Sequence, residues 1–379
     1  MIGLYSMALL GVGFVGTPAA HAGEAAELSG WVSPRWGLLT RPQERPAEQL
    51  EFGMQMARFG LEITGEPIEK WSYRAYTVFG SDTASAVTSV GLVDTNNNGT
   101  ADTVSTNTVD VVRSVVREAS VNWQPIESVG FKAGRMRIPF TSQAQSPDTN
   151  LLFPDRSGPN SSFLEGTDLG GLLHAKAAEN RAVLQLGAFN GSGLSSANTA
   201  ERGVLYTGRV DLNPLGGFSF DESGPTTESF RIGVGAGIAY HPWTTFDSAG
   251  YKDVLFQDIR ASASFRLAFE GIHAIAEGLY RIQTDSLSSR PTEALGAYGQ
   301  LGWYLPFGIE PVGRLGWVEH DRTFFPRQTW WGEAGLNFYP FANEQSTDQL
   351  KLTLQYSGEI HVVEDEQAHG VLVQAQLTF

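Results

Sequence analysis

Arginines recur on one face of segment after segment in this chain. Read with a period of two, Arg74, Arg135, Arg137, Arg209, Arg231, Arg260, Arg266, Arg281 and Arg314 fall on the polar face, joined by Lys176 and Lys351. A guanidinium keeps its charge at any ordinary pH and grips phosphate or carboxylate through two parallel N–H donors. Spaced as a ladder, such groups can take up an anion and release it. Arg135 and Arg137 head the set, because they stand directly before a long segment, 141–168, that carries Asp148, Asp155, Glu165 and Asp168 with Arg156 as its only cation. Acids of the same polar faces are fewer: Glu62, Glu118, Asp211, Glu270, Glu277, Glu333 and Glu359. Two chemistries follow. Basic groups could bind an anion directly, or an acidic loop and a basic wall could set up a transverse field. If the loop acids instead pair with the wall arginines, both groups are structural.

These residues need elements that put every second side chain on a wet face. Alternation, broken by Pro, Gly, Asn and Asp clusters, predicts strands at 28–39, 50–64, 70–80, 110–123, 129–140, 169–178, 181–190, 204–212, 229–241, 258–270, 272–283, 293–305, 309–320, 328–339, 349–361 and 368–379. In the tenth, Ala261, Ala263, Phe265, Leu267 and Phe269 oppose Arg260, Ser262, Ser264, Arg266 and Glu270. A charge facing lipid at the bilayer midplane costs roughly 2–4 kcal/mol, so the charged faces should line a lumen. The expectation is an all-β, 16-stranded antiparallel transmembrane β-barrel with long extracellular loops. Connections alternate short and long as that topology requires, except 213–228, a long one on the nominally periplasmic side. A soluble β-sandwich would share the alternation but not this loop rhythm.

The ends point to the same compartment. An apolar run from Met7 to Gly16, followed by Ala20-His21-Ala22, reads as a secretory signal over 1–22, although no Lys or Arg precedes it, and leaves one barrel domain over 23–379. Val371 to Phe379 alternates and stops on an aromatic, resembling the closing strand that outer-membrane assembly machinery reads. No other stretch is long and apolar enough for a transmembrane helix. Export without cysteine leaves no disulfides, which suits a fold closed by backbone hydrogen bonds. With 43 glycines, 11% aromatic residues and a mean hydropathy of -0.16, the composition fits strands that are polar on one side. Net charge is -15, but the field in a narrow channel is set by its lining rather than by the total.

Gly134-Arg-Met-Arg-Ile-Pro-Phe140, then Phe163-Leu-Glu-Gly-Thr-Asp-Leu-Gly-Gly171, then Gly187-Ala-Phe-Asn-Gly191 follow in an order that resembles the phosphate-selective porin O and P family. Members carry a G-x-x-[KR]-[IV]-P-F strand, a D-[IL]-G segment and an F-N-G turn at this spacing. The resemblance implies a trimeric porin of the bacterial outer membrane whose third extracellular loop, here 141–168, folds into the lumen as a constriction. The residues agree on a buried loop: Leu151, Leu152, Phe153, Phe163 and Leu164 would otherwise be exposed. Gly233, Gly235 and Gly237 share the inward face of the ninth strand and leave room for backbone to approach. The chain departs from phosphate-specific members, which use lysines along the solute path, because it has five lysines and none in the third loop.

Other motifs carry less. Asp94, Asn96, Asn98, Thr100 and Asp102, with Gly99, have calcium-loop spacing within 94–105, but Ser105 stands where the bidentate acid belongs, and Asn-rich turn chemistry explains the same run. No other cofactor is expected. Gly11 to Gly16 matches G-x-G-x-x-G inside the signal, without a preceding strand. No G-x-S-x-G, H-E-x-x-H or cysteine nucleophile is present, so no enzyme is expected. Gln55 and Arg117 fall on outward parity, which a homotrimer interface would satisfy, or a β-bulge would flip the register. The function expected is passive passage of small anionic or polar solutes, with contacts to outer-membrane lipid and none to nucleic acid. A general diffusion or sugar-admitting porin is the alternative.

Overall fold

The computed structural model describes residues 26–40, 50–80, 92–93, 102–103, 113–163, 166–191, 203–217, 220–224, 229–246, 253–286, 290–322, 327–341, 350–363 and 366–379. Among them the strands are β1 (Glu27–Thr40), β2 (Leu50–Ile68), β3 (Trp71–Gly80), β4 (Leu92–Val93), β5 (Asp102–Thr103) and β6 (Arg113–Ile126). There follow β7 (Val129–Arg137), β8 (Thr167–Ala177), β9 (Ala182–Phe189), β10 (Leu205–Leu212), β11 (Arg231–Phe246) and β12 (Asp253–Phe269). The last six are β13 (Ile272–Asp285), β14 (Thr292–Trp303), β15 (Ile309–Glu319), β16 (Gln328–Phe338), β17 (Leu350–His361) and β18 (Glu366–Thr378).

All except β4 and β5 join one closed antiparallel barrel in chain order, so sixteen strands form the wall. The seam is β1 against β18, finished by reciprocal Gly30–Phe379 backbone hydrogen bonds of 2.8 Å. Closure satisfies every strand edge, the condition for a sheet in lipid. On the outside, Trp71, Trp123, Trp303 and Phe338 mark the periplasmic end and Tyr206, Tyr240, Trp330 and Tyr356 the other, all well exposed, as aromatic girdles should be.

Three differences from the expected boundaries matter for the lumen. The fifth expected strand stops at Arg137 rather than 140, because Pro139 cannot donate to the ladder and the chain leaves the wall there. Asp168 belongs to β8, so it is wall rather than loop. Strands β11 and β12 run longer than expected and leave only 247–252 between them. The candidate calcium oxygens Asp94, Asn96, Asn98 and Thr100 lie outside the described residues, and Asp102 is placed as backbone in β5, paired with Val93.

Two register shifts decide the outward polar residues. The β3–β6 ladder slips between Tyr76 and Thr77, opposite Glu118 and Val116, so Arg117 is the extra residue of a bulge, and it lines a lumenal cavity. The β1–β2 ladder slips between Ser33 and Pro34, which sets position 55 across from Arg35. The bulge reading therefore holds for Arg117, which does not argue for a subunit interface, and for Gln55 the ladder sets the register alone.

Candidate functional site: the lumen and its constriction

The described core of the barrel lies beneath the third loop, against one wall. Met136, Ile138, Phe140, Phe163, Leu172, Phe189, Leu205, Ala239, Leu279 and Val318 form one buried apolar cluster. Leu152, Phe153 and Val312 form another. The loop carries helix α1 (Ser142–Gln145), capped by the Thr141 hydroxyl on Ala144 N at 3.0 Å, and helix α2 (Gly158–Phe163). As the inward glycines of β11 predict, backbone occupies the vacancy they leave: a methyl on Gly237 would overlap the Phe140 carbonyl oxygen. That oxygen accepts from Arg209 Nη1 at 2.8 Å and Ser262 Oγ at 2.7 Å.

The three motifs meet as one frame. Gly134 takes φ +123°, a conformation that side chains rarely adopt, and Pro139 then ends the strand. From the D-[IL]-G segment, Asp168 accepts from Gly191 N of the F-N-G turn at 2.6 Å, while Asn190 N donates to Leu169 O at 2.9 Å. Asp168 is fully buried in this role. It anchors the loop base and presents no charge to the lumen.

The loop acids meet the wall cations directly. Asp148 pairs with Arg156 at 2.7 Å and with Arg137 at 3.8 Å, and it accepts from the Tyr76 hydroxyl at 3.3 Å. Asp155 pairs with Arg35 at 2.9 Å and Arg58 at 3.0 Å, and its carbonyl accepts from Arg314 at 3.0 Å. Burial works against ionisation of Asp148, yet Arg156, Arg137 and Arg58 hold its carboxyl far below the usual aspartate range. Burial also opposes the charge on Asp155, and Arg35 and Arg58 prevail. An open transverse field is therefore largely closed by contact.

Of the predicted basic residues, Arg74 pairs with Glu62 at 2.8 Å and Glu118 at 3.1 Å. Arg137 reaches the same Glu118 at 2.9 Å, and Lys132 does so at 3.7 Å. Arg260 and Arg281 share Asp258, each at 2.7 Å, and Arg260 also holds Phe163 O. Arg209 and Arg266 share Asp211 at 2.7 and 3.3 Å. Arg266 is 1% exposed and stacks 4.3 Å from the Phe220 ring, so solute cannot touch it. Arg231 donates to Gly217 O. Arg135 does not join Arg137: it pairs with Ala119 and Leu169, both exposed on the outer face, because Arg137 leaves the strand's alternation where the chain turns inward. Glu165 lies outside the described residues.

Two cavities trace the free space. One, of about 290 Å³, is lined by Arg58, Arg117, Arg137 and Arg156 with Asp148 and Asp155. The other, of about 650 Å³, holds Arg74, Lys132, Lys176 and Arg137 with Glu27, Glu66 and Glu118. Arg137 lines both. Arg35 and Arg58 went unrecognised in the sequence although their alternation was readable, Arg35 beside outward Trp36 and Arg58 in phase with Glu62. Asp258, Glu310 and Glu222 were also missed, the first two as wall acids and the third in the 213–228 connection.

Residues 42–215 match the family described as phosphate-selective porin O and P. No curated protein matches the chain by sequence. Among solved structures, the outer membrane channel DcaP of Acinetobacter baumannii superposes with a TM-score of 0.62 at 10% identity, covering 97% of this chain and 100% of that one. The anion-selective porin from Comamonas acidovorans gives 0.59 at 11%, covering 94% and 99%. The trimer form of in-vitro folded OmpT, an outer membrane protein of Vibrio cholerae, gives 0.57 at 9%, covering 94% and 100%. Identities this low speak for the fold alone.

Proposed function

Through residues 42–215 this chain belongs to the phosphate-selective porin O and P family, and from that premise we propose that it conducts small anions in preference to cations. It is an outer-membrane porin, and we read it as a passive channel and not a catalyst. One observation carries the preference. Around the cavity beside the third loop, the four guanidiniums of Arg58, Arg117, Arg137 and Arg156 outnumber the two carboxylates of Asp148 and Asp155. Arg137 then opens onto Arg74, Lys132 and Lys176 below.

A carboxylate or phosphate arriving there meets cations that already hold internal carboxylates and can exchange partners one bond at a time. Such exchange keeps binding shallow, which conduction requires. The absence of lysines from the third loop argues for small carboxylates and phosphates as a class over phosphate alone. The chain's overall -15 is not the charge the solute meets. Reversal potentials across planar bilayers in a salt gradient test this, and a clear cation preference would overturn it. The general-diffusion reading is favoured by half-exposed Asp155 in the lining of that cavity, and swelling of liposomes in neutral sugars separates the two.

The assembly we propose is a homotrimer, supported by the trimeric form of a structural neighbour. Cross-linking in native membranes checks this. Calcium at the 94–105 run is a separate proposal resting on oxygen spacing alone, tested by calcium-dependent protection of that loop from protease.

A further inference from the structure

We propose that residues 220–224 of the β10–β11 connection are the second half of the constriction and position the third loop from the periplasmic side, with Glu222 as the positioning residue. The proposal deepens the channel reading and rests on it. A periplasmic turn of a barrel is ordinarily short. This one is long, and its described residues 220–224 enter the lumen and meet the loop from below.

Glu222 is 1% exposed. A carboxylate there is tolerable only if its lone pairs are filled. Its oxygens accept from Gln300 Nε2 of β14 at 2.7 Å, Ser146 Oγ at 2.9 Å, Leu152 N at 3.3 Å and Gln143 Nε2 at 3.4 Å. Three of those four donors belong to the third loop. The backbone adds to the grip: Glu222 N donates to Asn150 O at 2.9 Å, and the Asn150 side chain donates to Asp221 at 2.6 Å. Lys351 of β17 bridges the two segments, donating to Leu151 O at 2.5 Å and Ser223 Oγ at 3.2 Å. Gly224 N reaches Glu310, a fully buried acid of β15, at 3.3 Å. Phe220 fits under the Arg266 guanidinium.

The contacts lead to the mouth of the channel. Gln143, held by Glu222, accepts through its backbone oxygen from Arg156 Nε at 3.2 Å and through its side chain from Ser157 N at 2.8 Å. Ser146, also held by Glu222, accepts from Arg156 Nη2 at 2.7 Å. Arg156 in turn holds Asp148. Glu222 therefore fixes Arg156, one of the four arginines lining the cavity beside the loop, through one intervening residue, although it reaches the loop from the periplasmic side. Its loss should leave the barrel wall intact, since the sixteen-stranded ladder does not pass through it.

Single-channel recording of the full-length protein in planar bilayers, with Glu222→Ala and Glu222→Gln, tests the proposal. Glu222→Ala should raise the frequency of open-channel sublevels about tenfold, the factor carried by about 1.4 kcal/mol, and shift the reversal potential toward zero as Arg156 loses its place. Heat-modifiable migration of the barrel should stay as in the native chain, a readout that separates positioning from general stability. Glu222→Gln keeps the shape and should give the same direction at smaller amplitude, and it carries the test if the alanine variant is not recovered folded. Unchanged noise and selectivity in either folded variant would overturn the proposal. Absence of any current from the native protein would instead overturn the channel reading beneath it.

Discussion

The two sides of the lumen use the same residue types for opposite ends. Under the third loop, Arg209, Arg266 and Arg314 have side chains at most 2% exposed and are consumed by Asp211 and Glu333. Across the free space, Arg35, Arg58, Arg74 and Arg137 keep 12–33% of their side-chain surface while still touching acids. What separates them is what faces each wall. A sixteen-stranded barrel is too wide for its own side chains to fill, so a loop laid on one wall turns that wall's charges into structure. The opposite wall meets the loop mainly through charged side-chain contacts and keeps part of its charges open to the free space. Counting inward arginines therefore says little about selectivity until the loop has been placed.

The largest effect that would break this contrast lies on the covered wall. Arg209→Ala leaves buried Asp211 with Arg266 alone and takes one of two donors from the Phe140 carbonyl, and is expected to cost about 3–5 kcal/mol, as breaking a buried pair does. Denaturant titration of the folded barrel measures it. A stable variant with altered selectivity would erase the distinction.

Next comes Arg137→Ala, which removes the one cation shared by both cavities. With charged hydrogen bonds worth about 1.5–3 kcal/mol, anion preference should fall roughly tenfold while the barrel stays folded. The reversal potential reads this, and no shift would take Arg137 out of the solute path. Asp155→Asn acts oppositely and more weakly: Arg35 and Arg58 lose a counter-charge, and anion preference should rise.

Arg135→Leu, on the outer face, should leave selectivity unchanged and act, if anywhere, on subunit association seen in unheated gel migration. The smallest effect is that of pH. Both loop aspartates have folded-state values depressed below the ordinary aspartate value of about 3.9. Their stabilisation is thus complete above that value and is lost only as pH falls through the depressed range. Conductance should be flat from neutral pH down to about 4 and become noisier below it. A transition near pH 6 would place control elsewhere.

The wall was readable because each strand is half wet and half in lipid, so Ala261 to Phe269 against Arg260 to Arg266 admits one orientation. The cluster Leu151, Leu152 and Phe153 likewise announced a loop that could not stay in solvent. Bulges defeat this logic, since one extra residue reverses parity without altering composition. Arg117 was recoverable only as one of two opposed readings. The break between Arg135 and Arg137 was hidden, because it depends on the chain leaving the wall at Pro139. Glu222 was opaque for a different reason. A polar, glycine-rich connection reads alike whether it hangs in the periplasm or climbs into the lumen, since the donors that fill its carboxylate lie 70 or more residues away.

Arg35 has a bearing on how the molecule is assembled. Its Nε donates to Gln374 across the seam and its Nη1 to Asp155 on the loop, so one side chain ties the first strand, the last strand and the constriction together. Partners 339 positions apart are among the slowest to find each other. An unfinished barrel lacks one of the clamps on its own filter. Zipping the seam and setting the filter thus become one event, and a half-built intermediate has no finished pore through which to leak.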